Sequence, residues 1–582
     1  MAIRLTLRKE EENLVAAFDN QIIRTEWGTL PNIKNLQADP FTEGQALTAA
    51  LGGDAMLSRL DNDPDNLLLL DCDDAVDAIA WEFATLRDRQ FLCVKAGMLR
   101  TVDRDAPPVA GDGALNFITL AADPLVDQGG SARDGYRLDI DNEMKIIRAT
   151  LENCGKSLEA RRIPPTREAL NKALRRGPAI LHLTCHGNVV DANTGKIAIL
   201  SLEKKDGGHD PLTGVDLMSM PPRGALRLVL LSACMTATGT QANLAKALVN
   251  SGVPMSIGMQ NPFPDPLSDE LAAAFYDSLF AGLPFGEALR QARGSLAEHF
   301  SSVGLPVGYV AGDGWKEPLP LREGTPSVGG LGKPGDVRLG GEIQPPRPLL
   351  GRNLELHQIA RLFNEGHKVV TVAGTGGMGK TALAASFAER FAWMWSRGVR
   401  AYSFANEVSF ASFSNAILRF LYGHDAALQA AGLPENEKRE LILNGAKDWD
   451  GLWLFDNYES IMQGLQESLH DANLIHHLIG DLANGGAALL LTSREQPAGL
   501  KNETLYPEGR HLRGLGKEAG AELFFQHSTK AKQRPREHVD FAYSIHAAAE
   551  GHPLAIALLA GEYDTSAVTR EEFLENWAGR AA

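Results

Sequence analysis

Short apolar runs alternate with amphipathic helical patterns along most of this chain. The helical patterns include Asp141–Leu158 and Thr166–Arg176. The apolar runs predict short buried strands, which are Asn66–Asp71, Leu115–Ala121, Ala179–Thr184, Lys196–Leu202, Arg227–Ala233, Val369–Ala373, Gly451–Asp456 and Ala487–Ser493. Strands that alternate with helices form parallel sheets with helices packed on their faces. The pattern therefore predicts a parallel α/β fold in each half of the chain.

The alternation is interrupted at residues 316–346. Between Pro318 and Pro348 the chain holds seven glycines and seven prolines, and its apolar residues follow neither a helix nor a strand period. Such a segment buries too little apolar surface to offset the entropy lost on ordering, so it is expected to be a linker.

Composition narrows the function classes. The 582 residues are enough for several domains, and 44% hydrophobic with 22% charged residues is ordinary for a soluble globular protein. A net charge of −16 argues against a nucleic-acid-binding body, which needs a basic surface. Five cysteines without paired spacing form no disulfide framework, so a cytoplasmic location is expected. No apolar run is long enough to predict a membrane span.

The most specific motif is a phosphate-binding loop of the form G-x-x-x-x-G-K-[ST]. It consists of Gly374, Thr375, Gly376, Gly377, Met378, Gly379, Lys380 and Thr381. It lies between a predicted strand and a predicted helix, where backbone N–H groups can surround a polyphosphate. Lys380 is expected to reach the β- and γ-phosphates of ATP or ADP, and the Thr381 hydroxyl to help hold Mg²⁺. The alternative, a glycine turn with a surface lysine, is disfavoured by these flanks.

Two further strand ends fit the same site. Leu452–Phe455 place Asp456 at the carboxyl edge of a strand, where a second Mg²⁺-holding carboxylate is needed. The next predicted strand ends at Arg494, whose guanidinium is suited to the γ-phosphate. Arg494 alone is more simply a surface residue, but its order after the other two elements favours the phosphate site.

These elements occur in the order seen in STAND NTPases, the signal-transduction ATPases that include NB-ARC proteins, and residues 347–582 resemble that family. The resemblance implies that Arg352 and Pro553 lie near the adenine and that Gly551–Leu554 help to keep an ADP-bound form. Asn457 stands where many ATPases carry the carboxylate that activates water, so slow hydrolysis or nucleotide exchange is expected. Glu459 is a candidate substitute. Family members usually continue into a winged helix and a sensor, so the chain is expected to be truncated or to receive its sensor otherwise.

In the first half, two apolar strands end in reactive residues, His186 and Cys234. In a parallel sheet both ends lie at the same edge, so His186 can take the proton of the Cys234 thiol and make the sulfur a nucleophile. The N–H groups of Gly187 and Cys234 are candidates for binding an oxyanion, and glycine at 187 is expected to allow close approach of a substrate carbonyl. Each motif alone is more simply a buried core residue.

The sequence around both motifs resembles a CHAT domain, of the caspase-like peptidase group that includes separase. The resemblance runs over residues 62–315 and includes His182–Gly187, Leu231–Cys234, Gly252–Gln260 and Phe285–Leu289. It implies His186 as general base and Cys234 as nucleophile, with His182 and Cys185 packed inside the sheet. Asp265 either lines a pocket for a basic side chain or, as favoured, lies on the surface before a helix.

The expected fold is a caspase-like α/β/α sandwich followed by a P-loop NTPase α/β domain with a C-terminal helical segment. Its predicted parts are an N-terminal region (1–60), a peptidase domain (61–315), the linker (316–346), the NTPase domain (347–500) and its helical domain (501–582). The expected function is that of a nucleotide-regulated cysteine endopeptidase in bacterial defence or regulated cell death. The resemblance implies self-association through the NTPase part and a protein substrate such as a toxin or pore-former encoded nearby, without nucleic-acid or membrane partners.

Two other function classes remain open from the sequence. A silent STAND signalling adaptor would use the CHAT-like part only to bind partners, and the presence of both His186 and Cys234 speaks against it. A transcriptional regulator built on the same ATPase is disfavoured by the acidic balance.

Overall fold

The computed structural model describes residues 2–63, 65–104, 115–134, 137–175, 178–192, 195–220, 226–237, 243–316, 318–340, 343–505 and 511–581. The end of the second predicted helix, Arg176, and three residues of the predicted linker, Glu317, Gly341 and Glu342, lie outside the described residues. The chain forms two compact units. The first contains residues 1–123, 137–204 and 209–332, and the second contains 124–136, 205–208 and 333–582.

The strands of the first unit are β1 Ile3–Glu10, β2 Asn13–Phe18, β3 Gln21–Glu26, β4 Leu67–Cys72, β5 Gly97–Val102, β6 Leu115–Ala122, β7 Leu158–Ile163, β8 Ala179–Cys185, β9 Gly187–Ala192, β10 Gly195–Glu203, β11 His209–Thr213, β12 Leu226–Ser232, β13 Met255–Met259, β14 Pro306–Ala311 and β15 Ser327–Gly330. Its helices are α1 Ile33–Ala38, α2 Pro40–Ala50, α3 Gly53–Leu60, α4 Leu92–Lys95, α5 Ile140–Glu152, α6 Arg167–Leu174, α7 Gly214–Ser219, α8 Leu244–Asn250, α9 Asp265–Phe280 and α10 Phe285–Ser295.

Twelve of these strands form one sheet in the order β15-β7-β6-β8-β12-β13-β14-β5-β4-β1-β2-β3. The central pairs β7-β6, β6-β8, β8-β12 and β12-β13 are parallel. Along β12, Leu228 and Leu230 pack into one hydrophobic cluster while Val229 and Leu231 pack into another. Both faces are therefore covered, which explains why these strands read as continuous apolar runs. The predicted α/β class is confirmed.

The predicted strand Lys196–Leu202 exists as part of β10, but its expected place in a parallel sheet is wrong. It forms a separate three-stranded sheet with β9 and β11, and both of its pairings are antiparallel. The connections from β9 to β10 and from β10 to β11 are only a few residues long, whereas a parallel crossover needs a dozen or more. Chain length between the strands, which the apolar pattern ignores, decides the pairing.

The second unit has the strands β16 Val337–Arg338, β17 Val369–Ala373, β18 Val399–Ser403, β19 Leu452–Asp456, β20 Ala488–Ser493 and β21 Glu503–Thr504. Its helices are α11 Asn353–Asn364, α12 Lys380–Phe391, α13 Phe410–Tyr422, α14 His424–Ala430, α15 Glu435–Lys447, α16 Glu459–Gln466, α17 His470–Asn484, α18 Lys517–His527, α19 Thr529–Gln533, α20 Pro535–Ala548, α21 Pro553–Thr565 and α22 Arg570–Ala581.

The six strands of this unit form a parallel sheet in the order β16-β18-β19-β20-β17-β21. Alternate residues of β19 again enter different clusters, with Leu452 and Leu454 on one face and Trp453 and Phe455 on the other. The helices α18, α20 and α21 pack together around Phe524 and Tyr563 in a further cluster. An α/β sheet followed by a helical segment is therefore present, as predicted.

No helix among the described residues has both the length and the apolar character needed to cross a lipid bilayer.

Candidate functional site

Three neighbouring strands of the large sheet end at the same level. In the β6–β8 pairing Ala122 lies opposite Cys185, and in the β8–β12 pairing Thr184 lies opposite Ser232. The parallel register therefore places Asp123, His186 and Cys234 side by side at the carboxyl edge of the sheet. This edge is where open α/β sheets gather their functional groups.

His186 is oriented by a carboxylate. Its Nε2 lies 3.1 Å from Asp123 Oδ1, and the His186 side chain is 20% exposed whereas that of Asp123 is 8% exposed. A carboxylate on one ring nitrogen fixes the tautomer and orientation of an imidazole. Asp123 was missed in the sequence, although the strand-end argument that selected His186 applies equally to it: it directly follows the apolar run that became β6.

Gly187 is required by the backbone that carries Cys234. A Cβ at position 187 would lie 1.9 Å from the Cys234 carbonyl oxygen and 3.1 Å from its amide nitrogen, far inside contact distance. The sequence predicted that glycine is needed here for the approach of a substrate carbonyl. The structure gives a different reason, which is that the main chain of Cys234 occupies the space beside Gly187. The two residues named as oxyanion donors are adjacent through their main chains.

Cys234 is half-buried at the tip of a tight turn. Met235, which follows it, has a φ of 61°, a left-handed conformation that a residue with a large side chain seldom adopts. The turn is fastened by Thr236, whose hydroxyl donates to the Ala233 carbonyl at 3.0 Å and accepts from the Met259 N–H at 2.9 Å. Such strain is typical of functional positions and persists because neighbouring bonds enforce it.

The two residues expected inside the sheet are confirmed there. His182 is fully buried between Glu143 Oε1 and the Tyr276 hydroxyl, each 3.0 Å from one ring nitrogen. Cys185 is 2% exposed, and burial raises the pKa of its thiol well above the usual range. Neither group has the exposure that a nucleophile or base for a substrate needs. Asp265 begins α9, where one of its oxygens accepts the Asp139 N–H at 3.3 Å.

The phosphate-loop motif lies between β17 and α12 as predicted. Gly377 and Gly379 have φ values of 75° and 85°, so the loop uses glycine where other residues would be strained. Lys380 Nζ donates to the carbonyls of Gly374 and Thr375 at 2.9 and 3.0 Å. Burial lowers the pKa of this ammonium, while the nearby Glu459 carboxylate acts in the opposite direction.

Asp456 brings together the oxygen groups that a hard cation prefers. Its Oδ1 accepts from the hydroxyls of Thr381 at 2.7 Å and Thr492 at 2.6 Å. Its Oδ2 accepts from Asn457 Nδ2 at 2.9 Å, with the Ser403 hydroxyl at 3.4 Å. One carboxylate and one loop hydroxyl beside a phosphate site fit Mg²⁺, which takes few protein ligands and otherwise binds water and phosphate oxygens.

Glu459 and Arg494 face each other beside this site. Arg494 Nε lies 3.5 Å from Glu459 Oε1, and the arginine side chain is 70% exposed. The other Glu459 oxygen is buried without a hydrogen-bond partner among the described residues. Both groups act electrostatically on Lys380, so they belong to the same cluster. The structure therefore brings the predicted Arg494 and Glu459 to the loop.

The remaining predicted nucleotide contacts lie on either side of the loop. Arg352 is 3% exposed at the start of α11, and its guanidinium donates to the Met378 carbonyl at 3.2 Å and to Glu355 at 3.1 Å. Pro553 is the first residue of α21. His552 before it caps this helix by accepting the Ala555 N–H at 3.3 Å through Nδ1.

His552 also fastens the helical segment to the loop. Because Nδ1 accepts, the ring proton lies on Nε2, which donates to the Gly376 carbonyl at 3.0 Å. A Cβ on Gly377 would lie 2.7 Å from the His552 ring and 2.8 Å from Leu554 Cβ. The sequence had included His552 in a motif without assigning it a contact, since the spacing between motifs does not show which residue touches the loop.

The family model described as the CHAT domain matches residues 42–302. No curated protein matches the chain. Similar solved structures include a complex of the Porphyromonas gingivalis RgpB pro- and mature domains (10% identity, TM-score 0.30, 50% of this chain and 77% of that one). Others are the Saccharomyces cerevisiae separase–securin complex (12%, 0.27, 42% and 15%) and the Walker-type ATPase of Pyrococcus abyssi (13%, 0.29, 42% and 75%). The chain spans only 15% of that separase chain.

This match makes the first part of the chain similar to the CHAT domain. It begins at residue 42, upstream of the start expected from the sequence, and it does not extend into the phosphate-loop region.

Proposed function

We propose that this protein is a cysteine endopeptidase that uses the pair His186 and Cys234 and is controlled by ATP or ADP at the phosphate loop. The observation that supports it best is the register of β6, β8 and β12, which aligns a carboxylate, an imidazole and a thiol on three adjacent strand ends. A binding surface needs no such alignment, whereas a nucleophile with an oriented base does.

In the proposed reaction, His186 takes the Cys234 proton and the sulfur attacks the carbonyl carbon of a peptide bond. Because Nε2 contacts Asp123, this exchange is assigned to Nδ1. The C–S bond forms first and the carbonyl oxygen becomes an oxyanion. When that oxyanion collapses, the C–N bond breaks and His186 returns the proton to the leaving amine. Water then hydrolyses the thioester, which releases the acid and restores the thiol. The N–H groups of Gly187 and Cys234 are the proposed donors to the oxyanion.

The proposed nucleotide site consists of Gly374–Thr381 with Asp456 and Arg494. Thr381 and Asp456 would hold Mg²⁺, which neutralises phosphate charge when bound. Lys380 would exchange its two loop carbonyls for phosphate oxygens, and Arg494 would leave Glu459 for the γ-phosphate. Asn457 donates to Asp456 and carries no carboxylate, so slow hydrolysis is proposed, with Glu459 as the candidate base.

The proposed setting is bacterial defence or regulated cell death, with a toxin or pore-former as protein substrate and activation by self-association of the NTPase part. This setting, the substrate and the self-association are supported only by the resemblance to fused CHAT and STAND proteins. It predicts that activation depends on protein concentration as well as on nucleotide.

The test is cleavage of a peptide library by the full chain, with and without ATP and Mg²⁺, beside Cys234→Ala. Cys185→Ala is the matched control, because it removes a thiol of the adjacent strand that is buried. Cleavage by the parent and by Cys185→Ala, but not by Cys234→Ala, would support the proposal, and the cut sites would give the specificity.

The adaptor alternative makes a different prediction for the same samples. A partner-binding surface would give no cleavage under any condition, together with unchanged partner capture by Cys234→Ala. Cleavage that persists in Cys234→Ala would overturn the assignment of the nucleophile.

A further inference from the structure

Two short segments of the CHAT-domain sequence belong to the second compact unit. They are Pro124–Tyr136, which follows β6, and Lys205–Gly208, which lies between β10 and β11. We call them the two inserted segments. The chain therefore passes from the first unit into the second and back twice before it crosses for the last time after residue 332.

The inserted segments are core parts of the second unit. Leu125 and Val126 are 0% and 2% exposed in a hydrophobic cluster that includes Phe387 and Phe391 of α12 and Met378 of the phosphate loop. The Leu125 N–H donates to the Gly207 carbonyl at 2.8 Å, which joins the two segments to each other.

Hydrogen bonds tie the same segments to α11. Asn353 Nδ2 donates to the Arg133 carbonyl at 2.7 Å, and His357 Nδ1 lies 2.9 Å from the Asp206 carbonyl. Helix α11 begins next to Arg352, which contacts the loop carbonyl of Met378, and α12 begins at Lys380 itself. A rearrangement of the loop on nucleotide binding would therefore act on the elements that hold the inserted segments.

The residues that flank the inserted segments in the sequence contact His186 of the candidate catalytic pair. Asp123, the last residue before the first segment, contacts His186 Nε2 and donates its own N–H to Glu203 Oε1 at 2.9 Å. Glu203 is 3% exposed and lies one residue before the chain crosses at the second segment. The Ser201 N–H donates to the His186 carbonyl at 2.9 Å. Arg137, where the chain returns, has Nη1 4.0 Å from Asp123 Oδ2.

His186 is thus held at its ring and at its carbonyl by the two strands that continue into the second unit. We propose that Asp123 is the positioning residue of the His186–Cys234 pair and that, with Glu203, it transmits the nucleotide state of the second unit to that pair. The inference rests on the proposed peptidase function. A displacement of about 1 Å is enough to break a hydrogen bond of this length and to misalign a catalytic base.

The test uses the full chain and the alkylation rate of Cys234 by iodoacetamide, followed by mass spectrometry of the labelled peptide. Each sample is measured with ADP and with a non-hydrolysable ATP analogue, both with Mg²⁺. The variants are His186→Ala, Asp123→Asn, Asp123→Glu and Glu203→Gln, and Asp313→Asn is the control for an exposed carboxylate of the same unit.

We expect the ATP analogue to raise the rate in the parent at least about threefold over ADP, a coupling typical of two-site control. Asp123→Asn should lower the rate at least about tenfold, as when a carboxylate no longer orients a catalytic imidazole. Asp123→Glu, which keeps a carboxylate, should recover part of the alkylation rate that Asp123→Asn loses. Glu203→Gln should bring the ratio between the two nucleotides close to one, and Asp313→Asn should behave as the parent.

The outcomes separate the two proposals. Slower alkylation in His186→Ala combined with a parental rate in Asp123→Asn would overturn the positioning role and leave the peptidase proposal standing. An unaltered rate in His186→Ala would overturn the peptidase proposal itself. The coupling would be overturned if the ratio of the alkylation rates with the ATP analogue and with ADP were the same in Glu203→Gln as in the parent. It would also be overturned if this ratio were one in the parent. Thermal unfolding identifies a variant that fails to fold, and Glu203→Gln, which keeps Asp123, then decides the coupling.

Discussion

The two candidate sites are built in opposite ways. The candidate phosphate-binding site is one continuous loop, Gly374–Thr381, to which Asp456 and Arg494 are added from neighbouring strands. The candidate peptidase site has no continuous motif: Asp123, His186 and Cys234 come from three separate strands and meet only because of the register between them. Local sequence defines the first site, whereas long-range pairing defines the second.

This difference changes what each site tolerates. A loop that carries its own contacts keeps most of them when neighbouring strands shift slightly. A site made from three strand ends loses its geometry if any one pairing slips, because a slip of one residue moves each side chain to the opposite face. The close approach at Gly187 and the strained Met235 show how tightly the second kind of site is held.

The largest expected effect is that of Gly187→Ala. The new Cβ would overlap the Cys234 carbonyl, so β8 and β12 must separate at their ends, and peptide cleavage should fall at least about a hundredfold. Gly28→Ala is the control, since a Cβ there meets nothing within 4 Å. Cleavage assays of both variants measure the effect, and parental activity in Gly187→Ala would show that the register is not what builds the site.

A smaller effect is expected at the phosphate loop. Lys380→Ala removes the only ammonium that donates to the loop carbonyls in the described contacts, and affinity for a fluorescent ATP analogue should fall roughly tenfold to a hundredfold. Lys368→Ala, an exposed lysine before β17, should bind normally. Parental affinity in Lys380→Ala would mean that this loop is not the nucleotide-binding site.

Within the loop, two adjacent glycines should respond differently. Gly377→Ala places a Cβ 2.7 Å from the His552 ring at a φ of 75°, so it should lower the free energy of unfolding without nucleotide by about 1–3 kcal/mol. Gly376→Ala has open space and should change it by less than about 0.5 kcal/mol. Thermal unfolding of the two proteins gives the comparison. Equal stabilities would mean that His552 and Leu554 do not hold the loop.

The smallest effect concerns pH. Burial and the neighbouring Glu143 charge raise the pKa of Asp269 from 3.8 to about 6. The folded state therefore binds more protons than the unfolded state between these values, and stability falls as pH rises through this window. Asp269→Asn should raise the free energy of unfolding at pH 7.5 by at most about 1 kcal/mol after screening, and should not raise it at pH 3.5. Thermal unfolding at the two pH values measures the difference. The exposed neighbour Glu270→Gln should show no such dependence, and a parental pH profile in Asp269→Asn would rule out this source of instability.

The sequence predicted eight of the strands, and the phosphate loop, because both are local patterns. Leu452–Asp456 and Val369–Ala373 appear almost residue for residue, since apolar runs and glycine spacing need no partner to be recognised. It predicted the adjacency of His186 and Cys234 through a rule on parallel strand ends. It placed β10 in the wrong sheet, because an apolar run does not reveal whether a short turn or a long crossover precedes it.

What the sequence could not provide was the identity of contact partners. Asp123 is one of many acidic residues in a chain of net charge −16, so nothing local separates it from a solvated surface group. His552 was visible only as part of a motif. Both residues make their contacts with residues far away in the sequence. Asp123 contacts His186, and His552 contacts the Gly376 carbonyl.

The two inserted segments also bear on how such a protein can change over generations. A recombination event that replaced everything after residue 332 would supply a new nucleotide-binding unit but leave Leu125 and Val126 behind as its inherited core residues. The new unit would have to pack against these two side chains, which evolved in contact with the core of a different unit. The gene therefore cannot be divided at its glycine- and proline-rich segment into freely interchangeable halves, and substitutions near Phe391 should be accompanied by changes more than 250 residues upstream.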